Sequence, residues 1–525
     1  MREYIITVND PAVWDTNLWN ELTVDGVGDN FIPKRAIEVL NERPFNEFMA
    51  HFNLTDEEAA EIRQDSRIAF VELQADLQPE VKKEHFGTRD TSTYDKSSTA
   101  TVTMKNWGLL RSSSTTNPFA SSTAVSADFT YNLDGTGVDI IVMDTGVEPE
   151  HPEFAVNPDG SGGSRVVDFN WASLGVPGTA SAADIGGYLG DSDGHGSHCA
   201  GVAAGNTQGW ASGAAIYSIR IFPGNSIITD PGPYPLPRSS GFLGAINSDI
   251  AFDLVRAFHL TKQAAGNMRP TICTNSWGYR ASYSGMSSTS WRGTTYSTSS
   301  RNTNYGHVNS RHPYVVDYLD VSATNCSNAG VILVGAAGNF YHKIDVLGGL
   351  DYNNYWTSIF GYPYYYHRGA SPTRADGFIN VGAIDNSTTE QKANFSNTGS
   401  RVDVYSPGTF IMSALSDNYS NTVSGSTGVI VNVVSDPRNT AYRIGKISGT
   451  SMACPQVTGI LATVLQARPT MTPAEAKQFV VDYSIKNALV EGSNTSYTSA
   501  TYLQGGNNRI LQTPFTSAAR GGITS

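Results

Sequence analysis

The sequence predicts an α/β protein with a mostly parallel sheet covered by helices on both faces, preceded by a small α+β unit. Three observations carry that expectation. Short Val/Ile-rich runs recur through the middle of the chain, helical periodicities separate them, and the first eighty residues hold a strand, a helix and a strand of their own. Near-continuous apolar strands alternating with helices belong to parallel sheets buried on both faces.

The elements follow in order. In the first unit, residues 1–82, Glu3–Val8 alternates like a strand and Arg67–Gln74 (RIAFVELQ) reads as another. Thr55 begins TDEEAAEIRQ with Glu58 three residues on, the pattern of a capping box. Residues 83–105 have linker composition, rich in Ser and Thr. The main body spans 106–490. Its strands are VDIIVMDTG (138–146), IYSIRIF (216–222), TICTNSWG (271–278), VILVGAAGN (331–339) and FINVGAI (378–384). Its helices fall at 196–205, 243–265, 313–329, 452–467 and 473–484. The Ser/Thr/Tyr-rich stretch 280–312 and the Tyr-rich stretch 340–370 read as surface insertions. Residues 491–525 read as a polar tail.

Composition excludes several function classes. The net charge is −13 over 525 residues, which argues against nonspecific nucleic-acid binding. No apolar run reaches the roughly 20 residues of a membrane span. The start, MREYIITVND, lacks the apolar stretch of a standard secretory signal, which points to cytoplasmic synthesis or a virion rather than classical secretion. The four cysteines, Cys199, Cys273, Cys326 and Cys454, are widely spaced with no CxxC pair. They suggest a reduced compartment, with one or two disulfides as the alternative.

Chemistry collects at the predicted strand ends, where ligands meet parallel sheets. Asp144 ends the first core strand in MDTGVEPEHPEF. His195 sits in DGHGSHCAG at the mouth of a small-residue helix. Ser451 sits in ISGTSMACPQVTGILATVLQ, where Pro455 fits a first helical turn and apolar residues then recur at helical spacing. A serine at a helix N-terminus suits a nucleophile whose reaction creates an oxyanion, because unpaired N–H groups and the helix dipole favour negative charge. A histidine can take its proton, and a carboxylate can orient that histidine.

With DTG, HGSH and GTSMACP in this order, the chain resembles the subtilisin-like serine proteases, the subtilases of peptidase family S8. The block VGAAGN resembles that family's oxyanion-hole segment and NSWG its substrate-pairing strand. The resemblance covers roughly 106–485 and implies a seven-stranded, mostly parallel sheet in a three-layer α/β/α body. It further implies Asp144, His195 and Ser451 as the catalytic triad. Asn339 and the Ser451 backbone N–H would form the oxyanion hole. Ser276, Trp277 and Gly278, with Ala336, Ala337 and Gly338, would line the substrate. HCAG and the short connection after Gly205 look closest to the proteinase K branch, which leaves out one calcium loop of other subtilisins. The chemistry requires no cofactor. A structural calcium is compatible with the resemblance, with Asp385 as a candidate ligand and turn formation as its ordinary role. Residues 1–82 resemble the family's inhibitory propeptide, with cleavage expected within 77–105. The implied partners are a protein or peptide substrate and the chain's own N-terminal segment as intramolecular inhibitor. The alternative is a structural or binding protein on a protease scaffold, such as a virion component in a larger assembly, with latent activity. An esterase of the α/β-hydrolase type would need GxSxG and the order Ser, Asp, His, whereas the nucleophile block reads GTSMA.

Overall fold

The computed structural model describes residues 1–24, 35–41, 49–73, 87–191, 193–222, 224–226, 241–282, 285–309, 311–361, 363–416 and 432–513. The chain divides into two compact units, Met1–His85 and Phe86–Ser525.

The first unit is a four-stranded antiparallel sheet, ordered Glu38–Asn41, Met49–Leu54, Arg2–Val8 and Ile68–Leu73. Helix Asp56–Ile62 packs on it through Ala59 and Ile62, against Ile6, Phe52 and Leu54. Its N-terminus carries the capping box read from the sequence: Glu58 N–H donates to Thr55 Oγ1 and Thr55 N–H to Glu58 Oε2.

The second unit is built on a nine-stranded sheet. Its order is Ser484–Lys486, Arg509–Leu511, Val404–Pro407, Phe378–Ile384, Ile332–Ala336, Thr271–Asn275, Asp139–Asp144, Ala215–Arg220 and Val166–Val167. All neighbours pair in parallel except the first two, which are antiparallel. The count exceeds seven because a short strand extends each edge. The central strands are buried on both faces, and their alternation sorts the helices. Ile140 and Val142 pack with helices His195–Ala204, Thr450–Ala467 and Pro473–Asp482. Ile141 and Met143 face the other way, toward helices Ser248–Ala264 and Asp317–Asn328. The result is three layers, α/β/α. Because the strands run in parallel, Asp144, Asn275 and Ala336 all end on one edge.

Three expectations are corrected. Residues 87–105 are no linker: Gly87–Asp95 pairs with Ala124–Tyr131 and with Met104–Lys105, and Tyr94 is fully buried. The segment 491–525 is not a polar tail throughout, since Arg509–Leu511 joins the main sheet and Leu503, Ile510 and Leu511 lie in the core. Residues 514–525 lie outside the described residues. Thirdly, the two stretches read as surface insertions, 280–312 and 340–370, fold together with a core of their own. Met286–Trp291, Thr294–Ser297, Tyr355–Ser358 and Pro363–Tyr365 form one four-stranded antiparallel sheet with its own small core of Met286, Trp356 and Tyr366.

Candidate active site

The Asp139–Asp144 strand delivers Asp144 to the carboxyl edge of the sheet, where its side chain is almost wholly buried. Its Oδ1 accepts from the Thr145 N–H (2.7 Å) and lies 2.8 Å from His195 Nδ1. His195 opens helix His195–Ala204, and its side chain is about a quarter exposed. Burial works against its charged form, but the Asp144 carboxylate outweighs burial and holds the His195 pKa well above its ordinary value.

A residue not singled out from the sequence fixes this helix mouth. Buried Asp191 accepts from Thr145 Oγ1 (2.8 Å), Gly194 N–H (2.9 Å) and Ser197 N–H (2.8 Å). Thr145 Oγ1 in turn accepts from the Gly196 N–H at 2.8 Å. One carboxylate thus ties the loop after Asp144 to the first turn of the His195 helix. The available signal was an acidic residue four before the helix start, in DSDGHG. Gly196 must lack a side chain, because a Cβ there would collide with the Gly146 carbonyl. Asp193 accepts from the His195 N–H at 3.2 Å and so shapes the loop before the helix. His198 is a buried strut: its Nε2 lies 2.9 Å from Ile411 O and 3.1 Å from Gly445 O, and burial lowers its pKa to about 3.

Ser451 is the second residue of helix Thr450–Ala467. Its hydroxyl donates to Ser276 O at 3.0 Å, and no hydrogen bond joins it to His195 among the described residues. Rotation about its Cα–Cβ bond is needed to present Oγ to the imidazole, which is common before substrate binds. Pro455 sits inside the helix rather than in its first turn. Lacking an N–H, it cannot donate to the carbonyl four residues back, that of Ser451. The Ser276 hydroxyl (2.8 Å) and the Cys199 thiol (3.4 Å) donate to that carbonyl instead. Burial raises the Cys199 pKa, keeping the sulfur protonated as a donor. All four cysteines are buried and free.

Asn339 follows the Ile332–Ala336 strand. Its Oδ1 accepts from the Thr450 N–H and the Thr450 hydroxyl, both at 2.8 Å. Thr450 Oγ1 accepts in turn from the Gly338 N–H at 3.1 Å. This lock on the oxygen leaves Nδ2 as the free end of the amide. Asn339, Ser451 and the expected substrate residues Ser276, Trp277, Gly278, Ala336, Ala337 and Gly338 all line one pocket of about 290 Å³. A second depression of about 540 Å³ shares Trp277, Gly278, Tyr279 and Arg280 with it and is walled by Ile221, Phe222 and Ile246.

The surroundings of Asp385 do not fit a metal ion. Its carboxylate accepts from the Ser387 N–H (3.0 Å) and hydroxyl (2.7 Å). The nearby carbonyls are already engaged by ammonium groups: Ser387 O by Lys96 (2.7 Å), Ala393 O and Asn394 O by Lys392 (3.1 and 3.3 Å). Among the described residues, the one cluster of three ligating side chains is Asp144, His195 and Cys199, which is the relay already described.

A carboxylate, an imidazole and a serine at a helix N-terminus, gathered on the carboxyl edge of a parallel sheet, define a serine hydrolase site. The chain matches the Subtilase family over residues 135–506, and it belongs to that family. It is similar to an extracellular serine proteinase from Thermus sp. (strain Rt41A), 27% identical over 461 residues covering 88% of this chain and 74% of the relative. It is also similar to Proteinase R from Parengyodontium album, 28% identical over 76% of this chain and 68% of that protein. Among solved structures, a cold-adapted subtilisin-like serine proteinase is 21% identical with a TM-score of 0.45, over 79% of this chain and 99% of the other. The chain is a subtilisin-like serine endopeptidase, a hydrolase acting on protein or peptide substrates.

Proposed function

We propose that Ser451 is the nucleophile, His195 the general base and Asp144 the group that orients and stabilises the imidazolium. The observation that carries this reading is the 2.8 Å contact of Asp144 Oδ1 with His195 Nδ1, set beside the helix mouth that holds Ser451. Ser451 Oγ attacks the peptide carbonyl as His195 Nε2 takes its proton. The developing oxyanion is held by Asn339 Nδ2 and the Ser451 N–H, donors fixed in place before charge develops. His195 then protonates the leaving amine, and water hydrolyses the acyl-enzyme by the reverse path. The Asn339 oxygen, tied to Thr450, keeps the amide nitrogen aimed at that position before substrate arrives. The chemistry needs no metal or cofactor.

The N-terminal unit serves as a propeptide whose removal releases activity. Support comes from its small, separately cored α+β build. Cleavage falls within 77–105. Because 87–95 is woven into the catalytic unit, the cut belongs before Gly87, in a stretch outside the described residues. The test is casein hydrolysis with intact mass followed over time, for wild type and Ser451→Ala. Hydrolysis and loss of N-terminal mass in wild type alone support both parts. Hydrolysis at unchanged mass refutes the zymogen. Equal hydrolysis by both proteins refutes Ser451 as nucleophile.

A further inference from the structure

Two arginines stand in the cleft that holds Ser451. Beyond Ser276, the chain leaves the sheet and enters strand Arg280–Ser282, which pairs antiparallel with Arg311–Pro313. This ribbon is tied to the body at Ser371: the Tyr279 N–H donates to Ser371 O (2.9 Å) and the Ser371 N–H to Tyr314 O (3.0 Å). Arg280 and Arg311 thereby become walls of the 290 Å³ pocket. The pocket is also lined by Gly278, Ala336, Ala337 and Gly338, small residues that leave room for a substrate side chain.

The pocket's charge is one-sided. No Asp or Glu lines it among the described residues. Its amide Asn397 is spent on the backbone: Nδ2 donates to Ala337 O (2.8 Å), and Oδ1 accepts from the Phe340 (3.1 Å) and His342 (2.9 Å) N–H groups. Arg280 has no carboxylate partner among the described residues. Burial and then the like charge of Arg311 both lower its pKa. A guanidinium so placed gains from an anion brought by the substrate, and its planar fork matches a carboxylate.

We propose that the cleft selects peptides carrying an acidic side chain, Glu or Asp, at the residue just before the scissile bond, with Arg280 supplying the counter-charge. This rests on Ser451 being the nucleophile. The insertion that begins at residue 280 is then the element that sets specificity.

The test uses full-length protein and four peptides identical except for Glu, Gln, Phe or Lys at that residue. Fluorophosphonate labelling of Ser451 runs in parallel. The Glu/Gln ratio of kcat/KM isolates charge at constant shape and is expected at about 10- to 100-fold, the scale of a charged hydrogen bond. Arg280→Ala should bring the ratio toward one, and Arg280→Glu should favour Lys. In wild type, raising NaCl from about 0.05 to 0.5 M should shrink the ratio by screening. This arm needs no variant to fold. A labelled enzyme with a Glu/Gln ratio near one, or a ratio indifferent to salt, overturns the acidic preference and leaves the protease reading standing. Protein that neither labels nor cleaves any peptide overturns both.

Discussion

At the scale of single residues, His195 is poised by its neighbour. Its pKa lies above 6.5 because the Asp144 carboxylate outweighs burial. On the proposed mechanism the imidazole must be neutral to accept the Ser451 proton. Activity is therefore full above that pKa and is lost as pH falls through it. A kcat/KM profile from pH 5 to 9 should show one rising limb with its midpoint above 6.5. In Asp144→Asn the attraction disappears while burial remains, so the midpoint should move to lower pH. Turnover should also drop by about 10⁴-fold, as when this carboxylate is neutralised in serine proteases. An unmoved midpoint would show that Asp144 does not set the basicity of His195.

At the scale of elements, the helix carrying Ser451 gives up one of its own hydrogen bonds. Pro455 leaves the Ser451 carbonyl to Ser276 and Cys199, which ties the helix to the end of strand Thr271–Asn275. Ser276→Ala removes the stronger donor and should cost about 1–3 kcal/mol by chemical denaturation. Adding Pro455→Ala restores an N–H at the right position and should recover part of that loss, whereas simple additivity of the two substitutions would contradict this account. The sequence revealed the five core strands, the five main helices and the motif residues, because apolar periodicity and short motifs are local signals. It hid what depends on distant partners. Gly87–Asp95 is polar and short of apolar residues, and becomes a strand through Ala124–Tyr131, some thirty residues on. Arg509–Leu511 carries too few residues to stand out from its polar surroundings, yet its burial is complete at Ile510 and Leu511. The role of Asp191 lies in bonds to Thr145, which no spacing rule announces. Pro455 lies one turn deeper in its helix than its sequence pattern suggests, because proline alone does not report which carbonyl it abandons.

At the scale of the whole molecule, buried ionisable groups set the pH range of stability. Burial lowers the pKa of His198 and His307 to about 3 and of His312 and His367 to about 4. In the unfolded chain they titrate near 6.5, so between about 4 and 6.5 the unfolded state binds more protons and stability rises with pH. His307, His312 and His367 lie in or beside the insertion sheet, so acid should loosen that sheet first. Lys96, Lys392 and Lys446 are buried with pKa values near 8. Their unfolded values are near 10.5, so these lysines favour folding increasingly as pH rises above 8, while the four buried thiols and Tyr405, all pushed up by burial, oppose that rise. Thermal melts from pH 4 to 10 check this. A Tm that does not rise between pH 4 and 6.5 would contradict the burial of these histidines.

The same three scales meet at one oxygen atom, Ser451 Oγ. The most direct measurement is labelling of the purified chain with a fluorophosphonate, followed by peptide mapping. The account predicts one adduct on Ser451, abolished in His195→Ala and slowed as pH falls below the His195 pKa. An adduct on another serine, or labelling of Ser451 that persists in His195→Ala, would contradict it.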